Sequence, residues 1–174
     1  MPAPVPVYIG IGTNIERERY VRAALDALKD GFGELDISPV YESEAVGFDG
    51  SPFLNLVVGI RTTLSVGELS RFFKRLEAEN GRQPEAPRFS ARTLDLDILT
   101  YGEAVGWMDG VELPRGEIVR NAYVLRPLAD IAPAVKHPVC RKSYLELWQA
   151  YSSNQKTWPV DFSWQGRLIS KAVS

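Results

Sequence analysis

The chain has 174 residues, 45% of them hydrophobic and 24% charged, the balance of a globular protein long enough to bury a core without staples. A net charge of −2 argues against a general nucleic-acid binder, and the single cysteine, Cys140, excludes an internal disulfide and fits a reducing compartment such as the cytoplasm. No apolar run is long enough to span a bilayer, and Met1-Pro2-Ala3-Pro4 lacks the basic start and apolar stretch of a leader, so neither signal peptide nor membrane anchor is expected.

Val5 to Ile11 is rich in β-branched residues and predicts a first strand, with a turn at Gly12-Thr13-Asn14. Val21, Ala24, Leu25 and Leu28 then recur at helical spacing, and Gly31 and Gly33 predict the end of that helix. Leu35 to Tyr41 predicts a second strand. Glu42 to Pro52 has no periodicity and reads as a long loop of the kind that often carries function. Phe53 to Thr62 alternates, with Leu54, Leu56, Val58 and Ile60 on one strand face. Ser65 and Glu68 form a capping box before a helix whose stripe is Leu69, Phe72, Phe73 and Leu76, closed by Gly81. A second aperiodic loop spans Arg82 to Arg92, and Thr93 to Tyr101 predicts another strand.

This order is βαββαβ, so the expected fold is α+β: a ferredoxin-like sandwich with two helices on one face of the sheet. Ala104 to Leu113, centred on Asp109-Gly110, predicts an added hairpin. C-terminal helices are expected over Asn121 to Asp130 and after a second capping box, Ser143 with Glu146. From about residue 152 the periodicity fades into an atypical tail that keeps Trp158, Phe162 and Trp164, residues suited to packing on the body or on a partner. We expect residues 1–174 to form one domain.

The strongest local signal is Arg92-Thr93-Leu94-Asp95-Leu96-Asp97-Ile98. In a strand Asp95 and Asp97 project to one side while Leu94, Leu96 and Ile98 face the core. Paired carboxylates repel, and partial burial raises that cost unless a cation compensates. Magnesium suits such a pair, since it takes one or two carboxylates together with substrate phosphates. The same pattern also suits an exposed sheet face paired with the protein's own cations. Arg82, Arg88 and Arg92, with only Glu85 as an acid among them, favour a loop closing over a nucleotide polyphosphate. Asn55, with donor and acceptor, suits the edge of a flat heterocycle on which an aromatic ring stacks. Gly10 and Gly12 complete no dinucleotide fingerprint and read as packing or turn residues, His137 as structural, and Cys140 as lacking a base partner. On the residues alone, another magnesium-dependent phosphotransferase or a nucleotide cyclase on the same sheet stays open.

From about Val7 to Trp148 the sequence resembles the 6-hydroxymethyl-7,8-dihydropterin pyrophosphokinase family of folate biosynthesis. The likeness rests on Tyr8-Ile9-Gly10-Ile11-Gly12-Thr13-Asn14, on Tyr41…Gly47…Pro52-Phe53-Leu54-Asn55, on Glu77 before Gly81-Arg82, on the Arg92-to-Ile98 run, and on Leu125-Arg126-Pro127-Leu128-Ala129-Asp130-Ile131-Ala132-Pro133. The resemblance implies transfer of pyrophosphate from ATP to the hydroxymethyl oxygen of a reduced pterin, releasing AMP. It places two magnesium ions on Asp95 and Asp97. The nucleotide would meet Glu77, Arg82, Arg88, Arg92, Ile98 and Arg115, with Arg82 and Arg92 steadying the developing charge. The pterin would meet Ser43, Val46, Gly47, Phe53, Asn55, Phe89, Asp95 and Tyr123; no residue is an obvious general base, and Asp95 or a metal-bound water is the best candidate. The partners implied are ATP and the pterin, for a monomer or small homo-oligomer. Against the family pattern, Ala45, Pro84, Ser90-Ala91, Arg115-Gly116 and Asn121 are departures, with Arg120 beside the last. They alter part of the expected triphosphate clamp and leave the metal-binding and ring-reading positions in place, as a paralog with slower turnover or another pterin-like substrate would, or one that binds nucleotide or pterin without catalysis.

Overall fold

A computed structural model describes residues 3–44, 52–81 and 94–172. Its strands are β1 (Val5–Thr13), β2 (Asp36–Ile37), β3 (Val40–Ser43), β4 (Phe53–Thr62), β5 (Asp95–Tyr101), β6 (Gly106–Met108), β7 (Val111–Leu113), β8 (Thr157–Val160), β9 (Phe162–Trp164) and β10 (Arg167–Ser170). Its helices are α1 (Arg17–Phe32), α2 (Val66–Glu79), α3 (Ala122–Ile131) and α4 (Tyr144–Ala150), with a 3-10 turn over Gly116–Val119.

The main sheet is antiparallel, ordered β5-β1-β4-β3-β8, with β2 also paired to β4. Leaving out the edge strand β8, this is the expected ferredoxin-like order. Alternation explains the layers. Ile9, Ile11, Leu54, Leu56, Val58, Leu96 and Ile98 point to one face and pack against Tyr20, Val21, Leu25 and Leu28 of α1 and Leu69, Phe73 and Leu76 of α2. Val57 and Leu99 point the other way, into a second core with Leu125 and Leu128 of α3 and Tyr144 of α4. Because β4 is covered on both faces, it is buried almost throughout.

Both capping boxes are present: Ser65 Oγ and Ser143 Oγ accept the amides of Glu68 and Glu146, whose carboxylates accept the amides of Ser65 and Ser143. The β6-β7 hairpin turns at Asp109-Gly110, both at positive φ.

Three expectations need correction. The strand over Leu35 to Tyr41 is broken into β2 and β3, because Pro39 has no amide to donate and Ser38 bonds Val57 instead. The first helix runs through Gly31 and ends at Gly33, whose φ of 80° closes it. Gly12 lies inside β1 and forms no turn. The tail packs on the body, one of the two settings its aromatic residues suit: β8 extends the main sheet beside β3, and Phe162 is buried in the first core.

Candidate active site

Asp95 and Asp97 leave β5 on the same side, while Leu94, Leu96 and Ile98 are buried on the other. The sheet edge puts them in a cleft of about 590 Å³, walled by α2, the β6-β7 hairpin and the 3-10 turn. That volume is within the range of small-ligand sites. Burial, followed by the charge of Asp95, pushes the Asp97 carboxyl up to about 8; Arg115 opposes the shift, and Glu117 and Glu77 add to it.

Arg115 is the cation nearest the pair among the described residues. Its amide donates to Leu99 O at 2.8 Å, which fixes the chain, and its guanidinium stands 3.4 Å from Asp97 Oδ1 and 3.1 Å from Glu117 Oε1. Burial works against the Arg115 charge, but Asp97 and Glu117 more than offset it. Among the described residues that guanidinium is shared between Asp97 and Glu117, and Asp95 and Asp97 point to the same side of β5.

Glu77 enters from α2 and is buried; its Oε2 accepts the Leu96 amide at 2.8 Å. Leu96 therefore turns its amide away from β1 toward the free edge of β5. Period-two alternation turns that of Ile98 the same way, so both residues present backbone to the cleft.

The other half of the site is a row across the strands. Gly12 pairs with Asp95 on one side and Asn55 on the other, and Asn55 pairs in turn with Tyr41. A Cβ on Gly12 would come within 3.0 Å of Asn55 Oδ1 and 3.8 Å of the Phe53 ring. Glycine thus leaves a trough between the amide and the carboxylate. Asn55 is buried and its Nδ2 donates to Ser43 Oγ at 3.0 Å, while Phe53 at the start of β4 is half-buried. Tyr123 lies in the first turn of α3, packed against the second core. Burial, then the charges of Glu117, Asp97 and Asp95, raises its hydroxyl to about 12, so it stands within electrostatic reach of the pair.

The structure therefore brings Asp95, Asp97, Glu77, Ile98 and Arg115 to one cleft and Ser43, Phe53 and Asn55 to the adjoining trough, with Tyr123 within electrostatic reach of the acid pair. Val46, Gly47, Arg82, Arg88, Phe89 and Arg92, and the departures Ala45, Pro84, Ser90 and Ala91, lie outside the described residues. Asn121 does not face the cleft with its side chain: its Oδ1 accepts from Gln155 Nε2 at 2.9 Å, while neighbouring Arg120 lines the cleft. Sequence reasoning missed Glu117 and the trough over Gly12. The signal for the trough was present, in a glycine at an interior position of a strand.

Among the described residues no three His, Cys, Asp or Glu side chains are grouped to hold a metal, and no helix is long and apolar enough to cross a membrane. Two hard-oxygen ligands on the same side of one strand, opening into a cleft, suit magnesium completed by water and substrate oxygens.

Residues 8–133 match the family model for 7,8-dihydro-6-hydroxymethylpterin-pyrophosphokinase, or HPPK. The chain is 35% identical over 142 residues to the 2-amino-4-hydroxy-6-hydroxymethyldihydropteridine pyrophosphokinase of Aquifex aeolicus, spanning 80% of this chain and 88% of that protein. It is 35% identical over 136 residues to the enzyme of the same name from Pseudomonas aeruginosa, spanning 76% and 83%. In three dimensions it is similar to a triple mutant of Plasmodium falciparum HPPK-DHPS, with a TM-score of 0.72 at 13% identity over 96% of this chain and 46% of that one. That last likeness is one of fold.

Proposed function

The chain belongs to the 7,8-dihydro-6-hydroxymethylpterin-pyrophosphokinase family, and from that membership we propose how its own residues carry out the transfer. The reaction moves pyrophosphate from ATP to the hydroxymethyl group of 6-hydroxymethyl-7,8-dihydropterin. The hydroxymethyl oxygen bonds to the β-phosphorus, the bridge to the α-phosphate breaks, and AMP leaves with the bridging oxygen.

One observation carries the reading: Asp95 belongs to both halves of the site. It lines the cleft, and across Gly12 it shares a row with Asn55. Adjacent strands lie about 4.8 Å apart, so β4 and β5 are separated by roughly 10 Å at that row. A bicyclic pterin laid in the trough would set its amide-like edge on Asn55 and its hydroxymethyl arm toward Asp95. Phe53, Phe89 and Tyr123 would cover the ring, with Ser43, Val46 and Gly47 around its edge, and Asp95 would accept the hydroxyl proton.

On the nucleotide side, Asp95 and Asp97 would hold two magnesium ions. Bound there, magnesium supplies charge neutralisation and alignment of the phosphates with the acceptor oxygen. Arg115 would turn from Asp97 toward the phosphates once the pair gains its cations, joined by Arg82, Arg88 and Arg92. The base would lie along Ile98 and Glu77, where β5 offers its outer backbone. A monomer or small homo-oligomer in the cytoplasm, where an exposed thiol such as Cys140 stays reduced, is the proposed setting.

The test is incubation with ATP, magnesium and 6-hydroxymethyl-7,8-dihydropterin, with nucleotides resolved by chromatography. AMP that forms only when the pterin is present is the expected result. ADP as product, or AMP independent of the pterin, would overturn it.

A further inference from the structure

Trp107 has no part in the reading above, and at 72% exposure it is the most exposed large hydrophobic side chain among the described residues. An indole so placed leaves a broad apolar face in water. It does not sit on a loose tip. The hairpin that carries it turns through Asp109 and Gly110 at φ of 51° and 82°, Asp109 Oδ2 accepts the Gly67 amide at the start of α2 at 2.9 Å, and Leu113 is buried in the first core. Trp107 pairs with Glu112 across the hairpin, and a directly opposed pair leaves the ribbon on the same face. Both line the same cleft as Asp97 and Ile98.

We infer that Trp107 is the base-stacking residue of the nucleotide half of the site: its indole face covers the purine of ATP against the β5 edge and selects a base-bearing triphosphate over a bare polyphosphate. This rests on the cleft's being the nucleotide site. A rigid, exposed aromatic at the wall of a polar, phosphate-suited cleft meets the one part of ATP that charge does not recognise. Stacking needs only a π-face, so the contact adds affinity without adding a group to the chemistry.

The experiment compares wild type, Trp107→Ala and Trp107→Phe by titration calorimetry with magnesium-ATP and, separately, with inorganic tripolyphosphate and magnesium. Loss of one base–aromatic stack corresponds to roughly 5- to 100-fold in affinity. We expect Trp107→Ala to weaken ATP by that factor, Trp107→Phe to restore most of it, and tripolyphosphate to bind all three alike. In turnover, Trp107→Ala should raise KM for ATP with kcat at saturation within about twofold. The melting temperature should hold, because the side chain is outside the core. Equal ATP affinity in wild type and Trp107→Ala overturns the proposal while leaving the nucleotide site standing, and would be the outcome if the indole served a protein partner. Equal weakening of ATP and tripolyphosphate also overturns it, by showing a general distortion of the cleft. If wild type binds neither, the nucleotide reading itself fails and the proposal falls with it.

Discussion

At Asp97 the proposed metal position works against the stability of the ligand-free protein. The Asp97 carboxyl is raised from the ordinary value of 3.8 to about 8 by burial and by Asp95, so the folded chain holds a proton that the unfolded chain releases. Between those two values the folded state binds more protons, and stability from this site falls as pH rises, being fully present below about 4 and lost through about 8. The melting temperature of ligand-free wild type, followed by circular dichroism between pH 5 and 8.5, should therefore drop more steeply than that of Asp97→Asn. Parallel profiles for the two proteins would count against the assignment. The same variant should have lost pterin-dependent AMP formation while keeping its fold. Gly12 tests the other half of the row. Its replacement by alanine puts a methyl 3.0 Å from Asn55 Oδ1, and Asn55 must shift off the hydrogen-bonding position proposed for the pterin edge. One such bond corresponds to about tenfold. KM for the pterin should rise on the order of tenfold in steady-state assays, with KM for ATP nearly unchanged.

Elements were legible in the sequence where local periodicity and capping agree. The alternation of Phe53 to Thr62, the box at Ser65 and Glu68, and the twin acids of β5 each involve residues within a few positions of one another, and all are found as read. What depends on distant partners was not legible. Nothing near Leu96 announces that Glu77 caps its amide, and nothing near Asp97 announces Arg115. His137 is a middle case, structural as expected but by a specific route. Its ring is buried, its Nδ1 accepts the amides of Val139 and Cys140 at 3.2 and 3.3 Å, and burial lowers its pKa. The stability it adds is therefore present above its ordinary pKa and lost as pH falls, since a proton on Nδ1 removes the acceptor. Replacing it with alanine removes the acceptor of two part-buried bonds, and we expect a loss of about 1 kcal/mol in urea unfolding with kcat little changed.

At the scale of the whole molecule, the tail decides how the proposed pterin half is held. β8 has a proline at its third position and no clean alternation, and its partner β3 lies more than a hundred residues earlier, so local signals could not find it. Pairing covers the outer edge of β3, the strand that carries Tyr41 and Ser43 into the trough row. Beyond it the β9-β10 hairpin folds back onto α1. Arg22 Nε donates to Ser163 O, Trp164 Nε1 donates to Asp26 at 2.9 Å, Ser170 Oγ accepts the Val40 amide at 2.8 Å, and Phe162 enters the core beneath Arg22. Phe162 is thus the anchor by which the tail clamps β3. Truncating a fully packed phenylalanine to alanine costs roughly 3–5 kcal/mol, and the site is over-determined by the other contacts, so the loss should appear in stability first. We expect Phe162→Ala to lower the denaturant midpoint at unchanged m-value, with KM for ATP intact because the cleft proposed for the nucleotide lies on β5 at the opposite edge of the sheet. KM for the pterin should rise if β3 loosens before the fold is lost. Equal loss of both substrates at every denaturant concentration would show that the two halves melt as one.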